Sequence, residues 1–134
     1  MVLWMSSEAD KDVGRSYRSA RNKIEKAVNK WLETANYGTT VKEWVLIGIV
    51  TAEEYPGFGE VNRFTKKSGV AEFRLRIDHA AFKKAANDMN ARCKLICKSL
   101  IRSLDLLAKK KIPDFDHKSL MADFREFAKK KGWL

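Results

Sequence analysis

The stretch from Lys42 to Ala52 constrains this chain more than any other. It has the length of one strand, and its apolar residues fall on both sides. Trp44, Leu46, Gly48 and Val50 point one way, and Val45, Ile47 and Ile49 point the other. Successive strand residues alternate between faces, so such a run belongs at the centre of a sheet with at least partial cover on each side. Gly48 leaves a gap in its row, and a gap of that kind marks close approach of something bulky.

The segments around this strand supply the cover. Val2-Leu3-Trp4-Met5 is a short apolar run suited to a first, edge strand, and Ser6 to Asp12 is a polar turn with several capping candidates. From Val13 to Ala35 the period becomes helical. Tyr17, Ala20, Ile24, Ala27, Val28, Trp31, Leu32 and Ala35 form one stripe, and basic residues occupy much of the rest. Asn36-Tyr37-Gly38 stops that helix. After the central strand comes a loop from Glu53 to Gly59. Residues 61–65 and 70–77 then pair as a hairpin through Lys66-Lys67-Ser68-Gly69, with Phe73, Leu75 and Ile77 alternating strictly against Glu72, Arg74 and Arg76.

Asp78 is positioned as an N-cap, and helical spacing continues for most of the way to Lys111. Asn87-Asp88-Met89-Asn90 is weak helix material, which predicts a short helix, a break, and a longer helix from about Ala91. Ile112-Pro113 ends it. Asp116 caps a last helix, with Leu120, Phe124 and Phe127 inward, that finishes near Gly132. Three consecutive strands with short links predict an α+β fold. Its small antiparallel sheet of three to four strands carries an N-terminal helix and two to three C-terminal helices, packed mainly on one face. Residues 1–134 form one domain in this reading.

The chemistry-bearing residues are sparse. Cys93 and Cys97 lie four apart on one helix, where Cβ atoms stand about 5–6 Å apart against the roughly 4 Å of a disulfide, so both read as buried reduced thiols. A metal pair there would need two more ligands, and only His79 and His117 are on offer. Those histidines each follow an aspartate at a helix start and read as surface or capping groups. Ser6 and Ser7 lack a nucleophile turn, and Gly57-Phe58-Gly59 lacks the strand-to-helix setting of a phosphate loop. The pattern is that of a non-enzyme without cofactors. No apolar run approaches the roughly 18 residues of a membrane span, and the first residues have neither the basic start nor the apolar core of a signal peptide. The chain reads as cytoplasmic.

Charge is the remaining signal. The net charge is +10, yet residues 1–60 carry 8 Lys/Arg against 9 Asp/Glu while residues 61–134 carry 19 against 8. Such an excess attracts an acidic protein, a nucleic acid or an anionic membrane. Lys109-Lys110-Lys111 and Lys129-Lys130-Lys131 sit at helix ends, where cations complement the dipole. Arg63, Lys66, Lys67, Arg74 and Arg76 instead gather on the hairpin, with Tyr55 and Phe58 on the adjoining loop. These seven are the candidate partner-binding residues. The alternative is a small basic nucleic-acid-binding domain that stacks bases on an aromatic such as Phe64, although no RNP-type or Gly-x-x-Gly clamp accompanies it.

Several stretches acquire meaning together. Trp4-Met5-Ser6-Ser7-Glu8 precedes Val13-Gly14, and Tyr17-Arg18-x-Ala20-Arg21-Asn22-x-Ile24-Glu25 follows. Glu72-Phe73-Arg74-Leu75-Arg76-Ile77-Asp78 comes next, with Phe82-Lys83 after it. Then come Leu95-Ile96-Cys97-x-Ser99-Leu100-x-Arg102-Ser103-Leu104-Asp105 and Lys111-Ile112-Pro113-Asp114-Phe115-Asp116. This order and spacing, over roughly residues 3–127, resembles the immunity protein 44 family of bacterial polymorphic toxin loci. The resemblance implies an α+β protein that binds a cognate toxin domain and protects the producing cell, contact-dependent growth inhibition being one setting. It carries over no catalytic residues. Tyr17, Arg18, Arg21 and Asn22 are either internal polar ties or part of the binding face. A chain this basic would meet an acidic surface on its toxin, such as a carboxylate-lined cleft.

Overall fold

A computed structural model describes residues 1–53, 61–85 and 87–134. Its elements run β1 (Val2–Ala9), α1 (Gly14–Leu32), β2 (Glu43–Val50), β3 (Asn62–Thr65), β4 (Val70–Arg76), α2 (His79–Lys84), α3 (Met89–Ala108) and α4 (His117–Lys131). The expected α+β class is what forms, with a four-stranded sheet in the order β1-β2-β4-β3.

The pairing directions differ from the expected all-antiparallel sheet. Only β3 and β4 are antiparallel, whereas β1 with β2 and β2 with β4 are parallel. Two connections explain this. Helix α1 carries the chain from the end of β1 back to its start, and a helical crossover of that kind delivers a parallel neighbour. The link from β2 to β3 spans residues 51–61, long enough to place β3 one position further out. The tight hairpin then returns β4 into the vacant place beside β2. The prediction had assumed that strands adjacent in sequence pair in space, a tendency that a link of this length does not enforce.

Strand β1 is an edge, as expected, but it continues to Ala9 where the sequence suggested a turn. Ser6 and Glu8 are tolerated in it because one side of an edge strand faces water. Nor do the polar residues beyond it cap α1, which begins without a side-chain cap at Val13. The Asp10 carboxylate instead accepts the Ala52 N–H at 2.7 Å.

The caps at Asp78 and Asp116 are as the sequence predicted, and Asp88 adds one at the predicted break. Asp78 accepts from Ala81 N–H at 3.0 Å, Asp88 from Ala91 N–H at 3.1 Å and Asp116 from Ser119 N–H at 3.0 Å. Asp88 is thereby the physical reason for the break between α2 and α3. Gly132 closes α4 with φ +76°, and the Trp133 N–H reaches back to the Ala128 carbonyl at 2.8 Å, which tucks the Trp133 ring into the core.

All four helices lie on one side of the sheet. Leu3 and Met5 of β1, Trp44, Leu46 and Val50 of β2, and Ala71, Phe73 and Leu75 of β4 point into the core. There they meet Tyr17, Ala20, Ile24 and Val28 of α1 and Cys93, Ile96, Cys97 and Leu100 of α3. Helix α4 packs Leu120, Phe124 and Ala128 on the far side of α3. The gap at Gly48 is filled as expected: the Tyr17 hydroxyl, fully buried, occupies the space that a Cβ at Gly48 would need.

Candidate functional site

With every described helix on one side, no helix covers the other face of the sheet, although Ile49 on that face is buried at 2%, and the strand registers fix what it presents. Residues paired across neighbouring strands show their side chains on the same side. One row therefore runs Val2, Glu43, Val70, Thr65, and the next Trp4, Val45, Glu72, Arg63. Ser6, Ile47 and Arg74 form the third row, and Glu8, Ile49 and Arg76 the fourth. The face thus carries apolar Val2, Trp4, Val45, Ile47 and Ile49 on β1 and β2, the cations Arg63, Arg74 and Arg76 on β3 and β4, and the carboxylates Glu8, Glu43 and Glu72 among them.

The charged side is tied together by one carboxylate. Glu72 Oε2 accepts from Arg63 Nε at 3.0 Å and from Arg63 Nη2 at 2.7 Å, while its Oε1 lies 3.9 Å from Arg74 Nη2. Glu72 is the most buried of the three, which holds both guanidinium groups against the sheet. Arg76, two residues on from Arg74 along the strand, is exposed. Of the seven predicted contact residues, the structure therefore brings Arg63, Arg74 and Arg76 onto one face. Lys66 and Lys67 are exposed in the β3–β4 turn, at the opposite end of β4 from Arg76. That turn is held by the Gly69 carbonyl, which accepts from the N–H groups of Lys42 and Glu43. Tyr55 and Phe58 lie outside the described residues.

Sequence reasoning missed Val2 and Trp4. Among the described residues the exposed large hydrophobics are Val2, Trp4 and Leu134, with Trp4 the most open at 52%. The signal was present, because a strand alternates: once Leu3 and Met5 go inward, Val2 and Trp4 must go outward. What the sequence left unsaid is that no helix covers that side. Phe64 is the reverse case. It pairs with Ala71 and packs against the core, so it is not the stacking platform that the nucleic-acid alternative assigned to it.

The reactive groups elsewhere are accounted for by structure. Cys93 and Cys97 are free and buried, and burial pushes the Cys97 thiol up to about 12, far from thiolate formation. His79 is not a lone capping residue. Its Nε2 lies 3.3 Å from Asp12 Oδ1 and 3.5 Å from Asp10 Oδ2, at the carboxyl ends of β1 and β4. The hydrogen bond from His79 is the main reason the Asp12 carboxyl sits below its ordinary range, with burial opposing it and with lesser help from Lys83 at 3.4 Å. These three are the described residues whose donor atoms converge as a metal would require, within 4.8 Å of one another. Asp12 already faces the Lys83 ammonium and Asp10 already accepts from the backbone of Ala52, so the cluster serves as a tie between strand ends.

The helical layer is charged throughout. Lys94, Lys98 and Arg102 of α3 and Lys118, Arg125 and Lys129 to Lys131 of α4 are exposed. A cavity of ≈ 420 Å³ lies between the end of α1 and α4, walled by Trp31, Tyr37 and Phe127, and Tyr37 donates to Asp123 across it at 2.7 Å. It presents no nucleophile beside a base.

The model of the immunity protein 44 family matches residues 1–130, nearly the whole chain. This chain belongs to the immunity protein 44 family. Its role is accordingly one of immunity in the general sense. No curated protein and no solved structure matches the chain. No helix among the described residues is long and apolar enough to cross a membrane.

Proposed function

We propose that this member of the immunity protein 44 family neutralises a cognate toxin domain by stoichiometric occlusion in the cytoplasm of the producing cell, in a polymorphic-toxin or contact-dependent growth inhibition setting. One observation carries the reading: on a sheet face that none of the described helices covers, Arg63, Arg74 and Arg76 stand together. A binding protein needs such a surface, whereas an enzyme needs a pocket of reactive groups. The three arginines, with Lys66 and Lys67 at the turn and with Tyr55 and Phe58, which lie outside the described residues, form the partner-binding set. An acidic toxin surface is its complement, and the +10 net charge speeds encounter with it.

The test is co-expression with the product of the adjacent toxin gene. A one-to-one complex and protected growth are expected. Reversing both Arg74 and Arg76 to Glu should slow association at least about 10-fold and weaken protection without loss of fold. Undiminished neutralisation by that double variant would remove the hairpin from the interface. The nucleic-acid reading finds less support, because acidic Glu8, Glu43 and Glu72 interrupt the face and Phe64 is turned inward.

A further inference from the structure

The arginines explain how a partner is drawn in but not what holds it there. Charged groups at the rim of an interface act mainly on association, whereas desolvated aromatic anchors near its centre act mainly on dissociation. The open face contains one such aromatic. Trp4 stands beside Val45 in register, with Val2 two residues before it and Ile47 one row further along β2. Val45, the cross-strand neighbour of Trp4, and Ile47 are half-buried, and Ile49 beyond them is buried. Isolated exposed hydrophobics need no explanation, but an exposed tryptophan that prolongs an apolar row on a sheet face with no described helix over it does.

The β1 edge beside Trp4 is closed to strand addition. Helix α1 sends Asn29 against Leu3, accepting its N–H at 2.7 Å and donating to its carbonyl at 2.9 Å, and Glu25 accepts the Met5 N–H at 2.9 Å. These are the backbone groups an added strand would use on either side of Trp4. A partner at this place therefore meets side chains across the face and not backbone along the edge. Charge then fixes its orientation. Glu72, Arg74 and Arg76 on β4 flank Val45, Ile47 and Ile49 row by row, and Arg63 adds a further cation beyond Glu72.

We infer that Trp4 is the anchor of the toxin interface, inserting into an apolar recess of the toxin that is bordered by carboxylates on the side facing Arg63, Arg74 and Arg76. This rests on the immunity reading above and adds the central contact and its orientation.

Binding kinetics of the full chain against the purified toxin domain test it. Trp4→Ala should raise the dissociation rate about 10- to 100-fold, leaving the association rate and its salt dependence in place. Trp4→Phe should restore most of the lifetime, and Arg74→Glu with Arg76→Glu should instead slow association and flatten the salt dependence. An unchanged dissociation rate for Trp4→Ala, in a variant whose circular dichroism matches the parent, overturns the anchor while leaving the immunity reading intact. So does loss of binding confined to Lys94→Glu with Lys98→Glu on the helical layer. A free protein that sediments as a dimer and becomes monomeric on Trp4→Ala identifies the occupant as a second copy and also overturns it. Failure of the unmodified chain to bind or protect defeats both.

Discussion

Gly48 and Tyr17 form a pair whose energetics follow directly from the packing. Tyr17 is fully buried on α1, its hydroxyl has no hydrogen-bond partner among the described residues, and it rests against the central strand where Gly48 has no side chain. An unsatisfied buried hydroxyl costs about 1–3 kcal/mol. Tyr17→Phe relieves that cost and loses only the packing of one oxygen, so it should stabilise the fold by about 1 kcal/mol. Gly48→Ala alone drives a methyl into the hydroxyl. The gain of up to ~1 kcal/mol from a stiffer unfolded chain is then outweighed by about 1–3 kcal/mol of overpacking. With both substitutions the methyl meets the ring carbon Cζ at 3.3 Å and Ile77 Cδ1 at 3.2 Å, contacts that a shift of a few tenths of an ångström accommodates. Freed of the clash, the double variant should be about 1 kcal/mol more stable than the parent, whereas the two single effects sum to about zero or a net loss, a coupling of about 1–2 kcal/mol. For a chain of 134 residues each kcal/mol moves the melting temperature by about 4 °C. Urea and thermal unfolding of the four proteins read this cycle directly. Additivity within about 0.5 kcal/mol would refute the steric argument. A Tyr17→Phe variant destabilised by more than about 1 kcal/mol would show the hydroxyl to be engaged in a bond that matters.

Two further outcomes are expected. Asn29→Ala removes both hydrogen bonds that close the β1 edge at Leu3, and it should cost about 1–2 kcal/mol in urea and increase light scattering at high concentration. Burial holds the His117 imidazole below its ordinary pKa, with Asp116 pulling the other way, so the unfolded chain binds the proton more readily than the folded one. Its contribution is therefore complete above about pH 6.5 and is lost as the pH falls toward the lowered folded value. The urea midpoint of His117→Gln should fall less than that of the parent between pH 7 and pH 5, and parallel curves would count against it.

The hairpin basic cluster was readable in advance because the alternation of Phe73 and Leu75 with Arg74 and Arg76 states which side is wet. The caps at Asp78 and Asp116 were readable for the same kind of reason, since an N-cap is a contact over three residues, whereas at Asp88 only the break was legible and not the cap. So was the space at Gly48, though not its occupant.

Periodicity and capping are local, and for that reason the α+β class, the helices, and the division of each strand into an inner and an outer face were legible from the residues alone. Strand order and direction depend on which distant segments meet. Residues 51–61 carry β3 past the place that β4 later fills, and nothing within β2, β3 or β4 alone records that choice. The same holds for Trp4. Its side of β1 follows from the pattern of Leu3 and Met5, but its exposure follows from all four helices gathering on the opposite layer. Only the assembled structure could bring an apolar strip from the first strand beside arginines more than sixty residues away.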